Sequence, residues 1–173
     1  MIEVEVLKAR GHPAVKALHR STFEVTREES LTPRGDCIVG VGADKALTDL
    51  SERFRRLLAR GSRLVVVLEC EGLVDVVRAW GDPRLTLASH TSIVIRRSSY
   101  IDDRTLAVRS DKAAADLDRG LVARLRRGAP LLVHLVAYTL DQEAEATEFL
   151  DSMLEELRTR CSSNSMHRIP KLR

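Results

Sequence analysis

Long apolar runs are missing from this chain of 173 residues. The longest uninterrupted one, Leu64 to Leu68, is far below the roughly 20 residues of a membrane-spanning helix. The N-terminus, where acidic and apolar residues alternate, does not read as a signal peptide, so no membrane partner is expected. Cysteine is scarce: Cys37, Cys70 and Cys161 are odd in number and never form a C-x-x-C pair. That pattern argues against a disulfide framework or structural zinc and for a reducing, cytoplasmic setting. Only six residues are aromatic, one Trp, two Tyr and three Phe, which leaves little for stacking on bases. Asn164 and Gln142 are the only side-chain amides and Arg greatly outnumbers Lys, as expected of a thermophilic source. No H-E-x-x-H, P-loop, G-x-G-x-x-G or serine-nucleophile motif occurs, and Gly40 with Gly42 is too short a glycine signal for a nucleotide. No cofactor and no metal is expected.

Charge is abundant, with 28 Lys plus Arg against 25 Asp plus Glu, for a net charge of +3. It is unevenly placed. Residues 141 to 160 hold seven acids against Arg158 and Arg160, and the last thirteen residues add Arg168, Lys171 and Arg173. A basic body over 1–140 therefore carries an acidic segment and then a short basic tail.

The sequence also matches itself. At an offset of 67, Val41 to Leu68 matches Val108 to Leu135 without a gap, with 12 identities in 28 positions, where average composition gives about two. Further upstream the offset becomes 70, and Val4, Val6, Ala9, Gly11 and Pro13 recur as Val74, Val76, Ala79, Gly81 and Pro83. Residues 2–69 and 72–136 read as tandem repeats.

Each repeat reads as strand, strand, strand, helix, strand. Ile2, Val4 and Val6 alternate with Glu3 and Glu5, so the apolar set is expected to face the core. Gly11, His12 and Pro13 make a turn, and Val15 to Val25 alternate as one long strand. A Pro33 to Asp36 turn leads to a strand over Cys37 to Val41. Leu50, Phe54, Leu57 and Leu58 form a helical stripe that Gly61 ends; Leu64 to Leu68 closes the unit as a buried strand. The second unit has Leu117, Leu121, Val122 and Leu125 on its helix and Leu131 to Val136 as its last strand. A 65-residue unit with one helix buries too little surface to stand alone. The expected fold is therefore mainly β (α+β): one eight-stranded barrel or sandwich made from both units about a pseudo-two-fold axis. Residues 141–160, with Phe149, Leu150, Met153, Leu154 and Leu157 on one face, read as an acidic amphipathic helix, and 161–173 as a disordered basic tail.

A family resemblance is carried by Gly11-His12-Pro13, His19, Glu24-Val25-Thr26-Arg27-Glu28, Leu31-Thr32, Gly35-Asp36-Cys37-Ile38-Val39-Gly40-Val41 and Ala43-Asp44-Lys45. Gly81-Asp82-Pro83 and Ser110-Asp111-Lys112-Ala113-Ala114 continue it. Over about residues 2–137 the chain resembles the archaeal domain of unknown function family 371. The resemblance implies an archaeal setting and a mainly-β fold, and brings no activity with it.

Asp44-Lys45 and Asp111-Lys112 stand where a strand ends and a helix is about to begin. In the structural reading each Asp caps the helix. In the functional one, Lys45 and Lys112 join free backbone N–H groups to hold a phosphate or carboxylate. Asp36 follows Gly35 in a turn, a place where an Asp ties neighbouring backbone. His19 and Glu24 are candidates for acid–base chemistry, yet they fall on opposite faces of a strand, so His19 reads better as a hydrogen-bonded core residue; His90 comes opposite it with a one-residue shift. Arg55, Arg56, Arg60, Arg126 and Arg127 crowd the helix ends, where they either complement the helix dipoles or track a phosphate backbone.

Three functions follow. The first is a non-catalytic protein that binds RNA, DNA or another polyanion through the arginines. The second is a binder of, or enzyme acting on, a phosphorylated or carboxylated small molecule at Lys45, Lys112, Asp44, Asp111, Asp36, His19, Glu24 and His90. The third is a homo-oligomeric scaffold joined through residues 141–160.

Overall fold

The computed structural model describes residues 1–32 and 34–166, the last six by their backbone alone. Eight strands form two four-stranded sheets. The first has the order β1 (Ile2–Arg10), β8 (Pro130–Tyr138), β4 (Arg63–Cys70), β5 (Leu73–Trp80), antiparallel throughout. The second has the order β3 (Ile38–Gly40), β2 (Thr22–Thr26), β6 (Ser92–Arg96), β7 (Thr105–Ala107); its central pair is antiparallel and each edge strand is parallel to its neighbour. Among the described residues only single bridges, Arg10 to Val41 and Trp80 to Val108, join one sheet's edges to the other's. The sheets thus stack with a core between them, and of the two expected architectures the barrel does not form.

Helices α1 (Glu52–Ala59) and α2 (Arg119–Leu125) contribute Phe54, Leu57, Leu58, Leu121, Val122 and Leu125 to that core through their apolar stripes; Leu50 and Leu117, expected on the same helices, are instead buried in extended backbone just before them. A 3₁₀ turn precedes each, Leu47–Asp49 and Ala114–Asp116. Helix α3 (Glu143–Met166) lies on the outer face of the first sheet, where Ala146, Leu150 and Leu157 pack against Val65, Val67, Val136 and Tyr138. No helix among the described residues is long and apolar enough to cross a membrane.

Several local expectations are corrected. Only Thr22–Thr26 of the stretch Val15 to Val25 is a strand; Val15 and Ala17 are buried in the loop before it, with Ala17 in the left-handed region at φ +49°. Their alternation reflects loop side chains anchored in the core, a pattern that periodicity cannot separate from a strand. The faces of β1 are reversed. Leu7 is fully buried and Glu5 points to the same side, while Val4 and Val6 are 42% and 38% exposed on the other. Phe149 leaves the buried stripe of α3 and is 42% exposed. The backbone of α3 runs to Met166, six residues into the stretch read as tail; residues 167–173, and Pro33 of the expected turn, lie outside the described residues. That turn closes by Gly35 N–H donating to Thr32 O at 3.0 Å.

Candidate functional site

Asp44 and Asp111 do not cap helices. Asp44 Oδ1 accepts from Lys8 N at 2.9 Å while Asp44 N donates back to Lys8 O, and Asp111 makes the same two bonds with Arg78. Each Asp therefore satisfies a free strand edge. The helices are capped by Ser51 Oγ, which accepts from Phe54 N at 3.2 Å, and by Asp118 Oδ1, which accepts from Leu121 N at 2.8 Å. Sequence position alone could not assign the cap because a 3₁₀ turn intervenes.

Lys45 and Lys112 are both engaged by carboxylates from the first sheet's edge strands. Lys45 Nζ donates to Glu5 Oε2 at 2.9 Å, and the other oxygen, Glu5 Oε1, accepts from Ser51 N at 2.7 Å. In the second half Lys112 pairs with Asp75, whose Oδ2 accepts from Asp118 N at 2.7 Å. Each carboxylate thus locks a lysine, an edge strand and a helix start together. An incoming anion would have to displace that carboxylate.

The Glu5 environment sets a pH dependence. Burial raises its carboxyl pKa, but the Ser51 N–H and the Lys45 ammonium outweigh burial and hold it below the usual glutamate value. A depressed acid stabilises the fold above its unfolded pKa, about 4.3, and loses that contribution as pH falls through the folded value. The stability gap between the parent and Glu5→Gln should therefore narrow as acid unfolding is followed from about pH 5 to pH 3. A gap independent of pH in urea titrations would contradict this assignment.

The other acid–base candidates are dispersed. His19 is half-buried, and its Nδ1 accepts from Ser21 N at 3.2 Å and Thr22 N at 3.1 Å. It closes a turn and is not a core residue; Ser89 Oγ does the same for Thr91 N and Ser92 N. His90 is exposed, with Nδ1 3.1 Å from Thr48 Oγ1, and no hydrogen bond joins the histidines among the described residues. Asp36 ties the His19 loop through its carbonyl, which accepts from Leu18 N at 3.0 Å.

Glu24 is 7% exposed on the second sheet and accepts a hydrogen bond from Cys37 Sγ at 3.6 Å. Burial first, then the Glu24 charge, pushes the Cys37 thiol up to about 11, so it stays protonated near neutrality and is a poor nucleophile. Nearby, buried Arg96 donates to Thr105 Oγ1 and Asp102 Oδ2, both at 2.9 Å, and lies 5.0 Å from the Tyr100 ring. These groups satisfy one another. No group of three or more His, Cys, Asp or Glu able to hold a metal occurs among the described residues.

The arginines differ from one another. Arg56 pairs with Glu52, Arg55 is half-buried with an unpartnered Nε, and Arg60, Arg126 and Arg127 are exposed without an ion pair among the described residues. Sequence reasoning missed a further group. The Trp80 ring lies 3.8 Å from the Arg63 guanidinium and 5.4 Å from that of Arg109. Arg63 is the cross-strand neighbour of Trp80, and Arg109 follows the bridge from Trp80 to Val108. Arg109 has φ +52°, while Gly42, at the matching position of the first half, has φ +59°. An Arg aligned with a left-handed Gly is the signal that the sequence did contain. The C-terminal end of α1 closes on the same place, because Gly81 N donates to Ser62 O at 2.8 Å.

The comparisons with known proteins agree in kind. The family described as Domain of unknown function (DUF371) matches residues 7–138. The chain is also 40% identical over 131 residues to the "Uncharacterized protein MJ0206" of Methanocaldococcus jannaschii, an alignment that covers 76% of this chain and 97% of that one. On these matches, the chain belongs to the DUF371 family.

Proposed function

We propose that this is a non-catalytic binding protein for a polyanion such as RNA or DNA, with its contact surface built from the helix-end arginines and the Trp80 stack. The observation that carries this reading is the group around Trp80: Arg63 and Arg109 against the ring, with the segment that follows α1 and exposed Arg60 tied to Gly81, next to Trp80, through Ser62. A stacked guanidinium keeps N–H edges for phosphate oxygens. Among the described residues Arg60, Arg126 and Arg127 have no carboxylate to give up, whereas Lys45 and Lys112 do. That difference favours the arginine reading over a small-anion site at the lysines.

The two halves are further proposed to be a tandem duplication about a pseudo-two-fold axis. In its support, β1 and β2 end 70 residues before β5 and β6, and β3 and the 3₁₀ turn start 67 residues before their counterparts. The unpaired thiols of Cys37 and Cys70 are in keeping with a reducing cytoplasm.

Trp80 is the one tryptophan, so its fluorescence reports on this surface. Oligouridylate added at low salt is expected to quench it. If about four phosphates are neutralised, affinity should fall roughly 50-fold between 50 and 200 mM salt. Unchanged fluorescence, or binding indifferent to salt, would count against the proposal.

A further inference from the structure

Helix α3 crosses the outer face of the first sheet and encloses a cleft of about 260 Å³ against β4 and β5. The cleft is small for a ligand pocket, since drug-sized molecules occupy roughly 300 Å³ or more. Its apolar lining is Val65 and Val76 from the sheet and Leu150 and Leu154 from α3. Its walls carry opposite charges. Arg63, Arg78 and Tyr138 line it from the sheet, and Glu143 and Asp151 line it from α3, two turns apart on one side of the helix.

Arg63 Nε is buried without a hydrogen bond, which is costly to leave unmet. Among the described residues the side chains of Arg78, Tyr138, Glu143 and Asp151 make no hydrogen bond or ion pair. Arg63 is held in place by the Trp80 ring at 3.8 Å and by its position between Trp80 and Tyr138 across the sheet.

We propose that this cleft binds a small zwitterion with an apolar body, the chemistry of an apolar α-amino acid. The carboxylate lies against Arg63, Arg78 and the Tyr138 hydroxyl, the ammonium against Glu143 and Asp151, and the apolar part on Val65, Val76 and Leu150. The ligand is small and carries no net charge; Arg63 also belongs to the Trp80 stack of the proposed polyanion surface, so the two readings are told apart through Arg78 and Asp151, which that surface does not use.

The test is thermal unfolding of the full chain with L-leucine, using isovalerate and isoamylamine as ligands that each lack one charge. At ten times its dissociation constant, leucine should raise Tm by roughly 3–5 °C, and neither half-ligand should do so at the same concentration. Arg78→Met and Asp151→Asn, both at exposed positions, should each weaken leucine binding by about tenfold. Thr147→Phe, which fills the cleft from the helix, should block it. Three results would each overturn the proposal: no shift with leucine, a shift with isovalerate equal to that with leucine, or leucine binding untouched by Arg78→Met and Asp151→Asn.

Discussion

Replacing Asp75 by alanine is expected to destabilise the protein by about 3 kcal/mol, the cost of breaking a buried ion pair by removing one partner. That corresponds to a fall in Tm of roughly 6–12 °C for a chain of this size. Asp75 is 7% exposed, pairs with Lys112 and accepts from Asp118 N at 2.7 Å. Its loss strands an ammonium that is two-thirds buried and an N–H at the start of α2. Asp75→Asn keeps an acceptor for the N–H and should cost clearly less. Adding Lys112→Met to Asp75→Ala should recover part of the loss, because no ammonium is then left unpaired. Urea unfolding of the four proteins measures all of this; an Asp75→Ala protein as stable as the parent would show that the carboxylate is not a structural lock.

Gly81→Ala is the second large effect expected. A Cβ at Gly81 would fall on the carbonyl oxygen of Leu58, and one at Gly11 on that of Leu125. Both obstacles are main chain at a helix end, so a helix must shift. A loss of about 3 kcal/mol or outright failure to fold is expected. Gly61→Ala provides the contrast. Gly61 has φ +79° with open space where its Cβ would be, so only backbone strain is added, about 1 kcal/mol. Equal urea midpoints for Gly81→Ala and Gly61→Ala would contradict the close approach of α1 to the turn after β5.

What the sequence revealed was what its local pattern encodes. Leu64 to Leu68 is a strand as its short β-branched run suggests, and Phe54, Leu57 and Leu58 of the expected stripe lie on a helix that stops before Gly61 with its positive φ, whereas Leu50 is extended ahead of it. The inward face of β1 was not legible because Glu5 is turned toward the core side by Lys45 and Ser51, 40 and 46 residues away. The helix caps were missed for a related reason: Asp44 finds its partner on strand β1, not in the next turn of chain. Trp80 stands in the sequence as one of six aromatics, too few for base stacking. Its surroundings come from β4 and from the segment after β7, and only the pairing of Arg109 with Gly42 hinted at them. Barrel and sandwich differ at the sheet edges, where two single bridges stand in place of ladders, and strand patterns do not encode that difference.

On the proposed reading the carboxylate-paired lysines hold the fold, and the arginines, not the lysines, hold the polyanion. One comparison tests it most directly: oligouridylate affinity at low salt, measured by anisotropy beside Tm, for Lys45→Met with Lys112→Met and for Arg60→Ala with Arg109→Ala. The account predicts that the lysine variant loses Tm and keeps its affinity, and that the arginine variant keeps its Tm and loses affinity by about tenfold or more. Loss of affinity in the lysine variant at unchanged Tm, with the arginine variant binding as the parent does, would contradict it.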